Sequence, residues 1–196
     1  MALSHRIRII GGVWRSRQIQ VLDQQDLRPS SDRVRETLFN WLGPDLSGLK
    51  AIDVFAGSGA LGFEAASRSV DAVVLIENDK RTYNQLLRQY QLLNSYPICG
   101  EVKILHGDGI AYLQDAIDQS VQLIFLDPPF SQPELLIRAV HEAGRVCHDQ
   151  GRGGIYIECP NAFDLTKLEG LLPNWTPIKS METAQVKAVL FRRSSS

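Results

Sequence analysis

From residue 50 onward, short apolar runs alternate with helix-length segments, and this limits the chain more than any other feature. The runs "KAIDVF" (50–55), "AVVLIE" (72–77), "VKIL" (102–105), "QLIFLD" (122–127) and "GIYIEC" (154–159) are almost continuously apolar. That is the pattern of strands covered on both faces of a parallel sheet. Helices are predicted near 60–68, 79–94, 110–118 and 132–147. The tail segments "WTPIKSM" and "AQVKAVLFRR" have no helix between them, so an antiparallel hairpin at the sheet edge is expected. The expected architecture is α/β, a doubly wound domain over residues 46–196.

Residues 1–45 read as an extension. "RIRII" (6–10) and "QIQVL" (18–22) alternate polar and apolar residues around Gly11-Gly12, which predicts a hairpin. In "LRPSSDRVRETLFNWLG", Pro29 disfavours helix at Arg28, and Ser30 or Ser31 can cap a helix that follows. Val34, Leu38, Trp41 and Leu42 then share one helical face, and Gly43-Pro44 ends it. Residues 1–35 hold seven arginines, no lysine and three acids, net +4, in a chain whose net charge is −1. Guanidinium groups suit bidentate phosphate contacts and stacking on bases. Arg6, Arg8, Arg15, Arg17, Arg28 and Arg33 are therefore candidate nucleic-acid contacts, with Trp14 as a surface for stacking on an unpaired base.

Composition excludes several classes. A chain of 196 residues with 44% apolar and 22% charged residues reads as one soluble domain with a small appendage. No apolar run is long enough for a bilayer, and the first 20 residues lack a signal-peptide apolar block. Cys99, Cys147 and Cys159 form no C-x-x-C pair, so reduced thiols in a cytoplasmic protein are expected. His5, His106, His141 and His148 show no ligand spacing, and no metal site is expected.

The first strand runs into "DVFAGSGALG", with Gly57, Gly59 and Gly62 in a G-x-G-x-x-G pattern and Glu77 at the end of the second strand. Ligands in such sheets bind beyond the C-terminal strand ends, where the strand order reverses. A dinucleotide site would seat a pyrophosphate on this loop. Asp53 at the loop entrance would repel it, but would attract the ammonium of S-adenosylmethionine, directly or through water. Glu77 suits both ribose hydroxyls. Asp108, after the third strand in "HGDG", suits the adenine amino group or a helix N-cap, and the two roles are compatible.

The fourth strand ends "FLDPPF". Two prolines remove two N–H donors, leaving carbonyl oxygens, the Asp127 carboxylate and the flat face of Phe130. An exocyclic amine or an amide nitrogen is a poor nucleophile because its lone pair is delocalised. Asp127 and the Pro128 carbonyl can accept its two N–H bonds and aim the lone pair at a sulfonium methyl group, while Phe130 stacks on the ring. The chemistry is methyl transfer to a planar nitrogen.

At this point "RIIGGVWRSRQI", "LRPSSDRVRETLFNWL", "DVFAGSGALGFEA", "LIEND" and "FLDPPF", in this order, resemble the bacterial 16S ribosomal RNA guanine-N2 methyltransferases. The resemblance covers residues 6–193. It implies a seven-stranded Rossmann-like methyltransferase sheet and S-adenosylmethionine as cofactor. It also implies a guanine in 16S rRNA of the small subunit, or of its assembly intermediate, as substrate. By motif, Asp53, Phe55, Ala56, Gly57, Ser58, Gly59, Glu77, Asn78, Asp108 and Gly109 become cofactor contacts. Asp127, Pro128, Pro129 and Phe130 become the catalytic loop, with Arg28, Ser30 and Arg33 at the base entrance. A cytoplasmic monomer is expected. Lys187 stands where the family tends to carry an aromatic, so base contacts from the C-terminal hairpin are not carried over. A DNA amino-methyltransferase would use the same D-P-P-F chemistry but would need a larger recognition domain. A protein amide methyltransferase would not need the arginine-rich arm.

Overall fold

The computed structural model describes residues 6–21, 32–96, 98, 100–149 and 151–194. Its central sheet has seven strands in the order β5-β4-β3-β6-β7-β9-β8. These strands are β3 (Lys50–Asp53), β4 (Ala72–Glu77), β5 (Glu101–His106), β6 (Leu123–Leu126), β7 (Gly154–Pro160), β8 (Trp175–Glu182) and β9 (Val186–Arg193). The pairs from β5 to β7 are parallel, and β9 enters antiparallel between β7 and β8. The strand order reverses between β3 and β6, which opens the ligand crevice there. The tail hairpin sits at the edge as expected. Its outer strand β8 breaks register between Pro177 and Lys179, where proline cannot donate to a ladder.

Helices α2 (Ala60–Ser67), α3 (Lys80–Leu93), α4 (Gly109–Asp115) and α5 (Pro133–Val146) connect the parallel strands, and a short α6 (Thr166–Glu169) was not expected. α4 ends earlier than its sequence pattern suggests. One apolar layer packs α4, α5 and α6 on one face through residues such as Ile110, Leu136, Val140 and Leu168. The other layer joins Phe63 of α2 and Leu86 of α3 to the extension.

That extension is β1 (Arg6–Arg8), β2 (Gln18–Gln20) and α1 (Asp32–Leu42). The strands pair antiparallel with Ile7 opposite Ile19. Residues 22–31, with Arg28 and the expected cap at Ser30 or Ser31, lie outside the described residues. Val34, Leu38 and Leu42 are buried on α1 as expected, and so are Phe39 and Arg35. Ile7, Ile9, Ile19, Leu38 and Phe39 share a core with Ala51 and Leu75 of the sheet.

Trp14 overturns an expectation. Its ring is 0% exposed, set edge-on against Phe63 and Tyr90, with its indole N–H donating to the Tyr96 carbonyl at 2.9 Å. A large ring whose one donor is satisfied inside the protein fills a gap under the hairpin, and it presents no face to a base.

The hairpin turn is fastened to the last turn of α2. Gly12 lies so close that an added Cβ would sit 1.8 Å from the Ser67 carbonyl oxygen. Val13 N–H donates to that carbonyl at 2.8 Å. Trp14 N–H donates to Ser67 Oγ at 2.9 Å, and Ser67 Oγ donates to the Gly11 carbonyl at 2.5 Å. Beneath them, fully buried Glu64 accepts Ile10 N–H at 2.7 Å, Gly11 N–H at 2.8 Å and Arg68 Nε at 2.9 Å. Arg35 Nη1 stands 3.7 Å away, and Arg35 Nη2 donates to Asp32 and to the Arg8 carbonyl. A buried carboxylate is tolerable only with such a full set of partners.

Candidate active site

The glycine loop follows from local geometry. Gly57 and Gly59 have φ of +52° and +80°, a region open to glycine and costly for other residues. A Cβ on Gly59 would lie 2.5 Å from the Phe63 ring. Ala56 N–H donates to the Ile76 carbonyl, which carries the loop over β4. A Cβ on Gly109 would meet the Val54 carbonyl oxygen at 2.1 Å, so the start of α4 is pressed against the end of β3.

Asp53 does not line the crevice. It is 2% exposed and accepts Gly62 N–H at 2.9 Å from beneath the loop. Burial above all, and then the charges of Glu77 and Glu158, push its carboxyl up to about 7, against the Gly62 hydrogen bond. Buried to this degree, the carboxyl meets the loop backbone rather than the open crevice.

Glu77 is half-buried at the crevice. Its oxygens accept Gly57 N–H at 2.9 Å and Asp79 N–H at 2.7 Å, and burial raises its carboxyl above the ordinary value despite these bonds. Asp108 caps α4 by accepting Ile110 N–H at 2.8 Å. His106 Nε2 donates to the Asn78 carbonyl at 3.0 Å, tying the rims of β4 and β5. Phe55 and Ser58 are partly exposed, Ala56 and Gly109 buried, and Asn78 exposed. These residues assemble at the C-terminal ends of β3, β4 and β5.

Asp127 follows β6 across the switch point from the glycine loop. Pro128 is buried, Pro129 is exposed, and Phe130 is 37% exposed. Gln132 N–H closes the turn onto the Pro129 carbonyl at 3.0 Å. Beside this loop, β7 supplies two residues that the sequence reading did not single out. Tyr156 donates its hydroxyl to Glu158 at 2.7 Å, and Glu158 is only 1% exposed. An acid inside the otherwise apolar "GIYIEC" is the signal that could have exposed it.

The arginines Arg6, Arg8, Arg15, Arg17 and Arg33 are all exposed. Arg33 lies in the first turn of α1, and Arg8 and Arg15 line one cleft with Asp32 and Glu36. Arg15 and Arg17 are at the turn, with Arg17 laid over the Tyr96 ring at 3.6 Å. Among the described residues, no group of three or more His, Cys, Asp or Glu could hold a metal ion, and no helix is long and apolar enough to cross a membrane.

This sheet order, with a glycine loop and a D-P-P-F loop facing each other across its switch point, defines the class: a Rossmann-like methyltransferase. Comparison with known proteins narrows it. The family model described as Conserved hypothetical protein 95 matches residues 7–192. Ribosomal RNA small subunit methyltransferase D of Escherichia coli (strain K12) is 35% identical over 198 residues, which cover 98% of this chain and 92% of that protein. The protein of the same name from Haemophilus influenzae is 36% identical, covering 95% of this chain and 93% of its own length. The solved structure of Escherichia coli yhhF superposes with a TM-score of 0.80 at 32% identity, over 98% of this chain and 100% of that one. The chain belongs to the ribosomal RNA small subunit methyltransferase D family.

Proposed function

We propose that the protein transfers a methyl group from S-adenosylmethionine to the exocyclic N2 amine of a guanine in 16S rRNA. Its substrate is the small ribosomal subunit or an assembly intermediate, and it works as a cytoplasmic monomer. The observation that carries this reading is the D-P-P-F loop after β6, across the switch point from the glycine loop after β3, with Phe130 exposed beside Asp127. The names of the relatives supply the RNA.

The crevice fits S-adenosylmethionine. The left-handed glycines Gly57 and Gly59 turn the loop backbone sharply at the end of β3, and Gly59 and Gly109 let the loop and the start of α4 pack directly on Phe63 and Val54, which fixes the backbone that rims the crevice. Glu77 offers acceptors to ribose hydroxyls, and Asp108 to an adenine amine. When bound, the cofactor supplies a methyl group on a positively charged sulfur. The protein's own residues do the rest. Asp127 and the Pro128 carbonyl hold the two N–H bonds of the base amine and stabilise positive charge as it develops on nitrogen. Phe130 stacks on the base and fixes its plane. The amine becomes acidic as it is alkylated, so its proton leaves late and Asp127 need not be a strong base. The base must leave its stack at a cost of a few kcal/mol, which the exposed arginines of the extension offset by holding phosphates.

The test is transfer of a tritiated methyl group from S-adenosylmethionine to small subunits from a strain lacking the gene. Nucleoside digestion and reverse-transcription mapping follow. Label in N2-methylguanosine at one position is expected. Cofactor binding without label on subunits would overturn the RNA assignment and turn attention to DNA and protein amides.

A further inference from the structure

Two arginines of the extension share a cleft with two acids. The cleft, of about 190 Å³, lies between the hairpin, which supplies Arg8, Arg15 and Ser16, and α1, which supplies Asp32 and Glu36. Ser16 takes a left-handed φ of +68°, which a non-glycine residue bears only where its neighbours hold it. Its N–H donates to the Ile9 carbonyl at 2.9 Å, so the chain carrying Arg15 returns alongside the chain carrying Arg8. Asp32 and Glu36 are four positions apart, which puts them on one face of the helix. Arg35, 0% exposed, ties the two sides together: its Nη2 donates to the Arg8 carbonyl at 2.8 Å and to Asp32 Oδ1 at 2.6 Å. The protein alone therefore fixes the spacing of the two sides.

The charges around this cleft are not spent on one another. Arg8, Arg15 and Glu36 are exposed, and among the described residues none of their side chains has a hydrogen-bond or ion-pair partner. Cations on the hairpin side and carboxylates on the helix side match a ligand that is anionic at one end and carries N–H donors at the other. A phosphate alone would be drawn to the arginines and repelled by Glu36, and a simple cation the reverse. An RNA nucleotide has both ends. The cleft is smaller than the about 300 Å³ at which small-molecule pockets begin, so it suits one base and not a second cofactor. The bases differ in the edge they show a carboxylate. Guanine presents N1–H and N2–H side by side, and the two oxygens of one carboxylate can accept both. Adenine and cytosine set their amine beside a bare ring nitrogen, and uracil sets its N–H between two carbonyls. Only guanine offers two adjacent donors.

We infer that this cleft binds an unpaired guanine of the RNA other than the one that is methylated, with Glu36 accepting its N1–H and N2–H and with Arg8 and Arg15 holding its phosphate. Glu36 is thus a specificity-determining residue, whereas Asp32, committed to Arg35, keeps α1 in place. The inference rests on the RNA reading above. It divides recognition between two bases: one is read in the cleft and anchors the strand, while the other leaves its stack for the crevice. The arginines set the position of the strand, and the carboxylate supplies the sequence preference.

The experiment uses small subunits reconstituted with 16S rRNA randomised at the mapped guanine and at the unpaired positions around it. Subunits retained by immobilised wild type, by Glu36→Gln and by Arg8→Gln combined with Arg15→Gln are sequenced. All three side chains are exposed, so the variants are expected to unfold at the wild-type urea midpoint. Wild type should enrich guanine at the target and at one further position, the second by about tenfold or more, the discrimination of one bidentate base contact. Glu36→Gln should lose most of the second enrichment and keep the first. The double arginine variant should weaken retention of all sequences alike and lower the salt slope by up to about 2, as the loss of phosphate contacts does. Wild type with no second enriched position, with a base other than guanine there, or with an enrichment that Glu36→Gln leaves unchanged overturns the inference and leaves the RNA reading standing. Wild type that retains no subunits overturns both.

Discussion

Glu77 accepts the backbone N–H of Gly57 at 2.9 Å, so the carboxylate proposed for the ribose also holds the first glycine of the loop. Gln in its place keeps one acceptor and loses the charge. Glu77→Gln should weaken S-adenosylmethionine binding about tenfold to a hundredfold, the scale of one or two hydrogen bonds to a charged group. Titration calorimetry measures this directly. An unchanged Kd would mean that the ribose is seated elsewhere.

Asp127 addresses the substrate nitrogen and not the cofactor. Asp127→Ala should lower kcat by about 10²–10³-fold or more, as when a preorganised electrostatic group is removed. The Kd for S-adenosylmethionine should stay near the wild-type value. Single-turnover transfer and calorimetry separate the two effects, and retention of most activity would sink the role.

Asp53 predicts a pH dependence. Its carboxyl titrates at about 7 in the folded protein against an ordinary 3.8. Between those values the native state keeps a proton that the unfolded chain has released, so stability falls as pH rises. The contribution is complete below about 3.8 and is lost as pH passes through about 7. Asp53→Asn keeps a neutral acceptor for Gly62 N–H and removes the titration. Urea midpoints from pH 5 to 8 should show wild type losing ground to the variant, on the order of a few kcal/mol in all. Parallel curves would place the carboxyl in a wetter site than its burial indicates.

Trp14 and its neighbouring arginines should separate cleanly. Trp14→Ala empties a core site and should cost about 3–5 kcal/mol of stability. Joint replacement of Arg15 and Arg17 by Gln should change stability by no more than about 1 kcal/mol, even with the stack on Tyr96 lost. The same double variant should reduce the slope of log K for RNA against log salt by up to about 2. An unchanged slope would remove the hairpin turn from the RNA interface.

Glu64 should behave as a latch. Its removal leaves Arg35 and Arg68 buried without their shared anion, so Glu64→Ala should destabilise by about 3–5 kcal/mol. Urea unfolding gives the loss, and faster tryptic cleavage at Arg15 and Arg17 would show the hairpin lifting from α2. Cleavage at the wild-type rate would mean that Ser67 and Trp14 hold the turn unaided.

The sheet was legible because strands buried on both faces carry nearly unbroken apolar runs, and both crevice loops announce themselves by glycine and proline. What escaped depends on contacts remote in sequence. Glu64 bonds to residues 53 and 54 positions away, and no local period reveals that. A lone acid among Ala60, Leu61, Phe63, Ala65 and Ala66 was nevertheless a clue that it had buried partners. Arg35 was counted among the seven arginines of the basic extension, yet it lies on the buried face of α1. Trp14 was read by its chemistry as a stacking ring, but the space between Phe63 and Tyr90 claims it. Asp53 was placed by its motif, which does not reveal its depth beneath the loop.

α2 leaves the glycine loop at one end and carries Glu64 and Ser67 at the other, within about 12 Å. Its front serves small-molecule capture and its rear fastens the arginine-bearing hairpin. The arm is consequently not portable. Grafting residues 6–21 onto another doubly wound scaffold would strand Gly11, Gly12 and Trp14 without a dock unless this helix travelled with them. Swapping the helix would in turn disturb the loop at its head. An engineer seeking to redirect such an enzyme to another RNA has to redesign the exposed arginines in place.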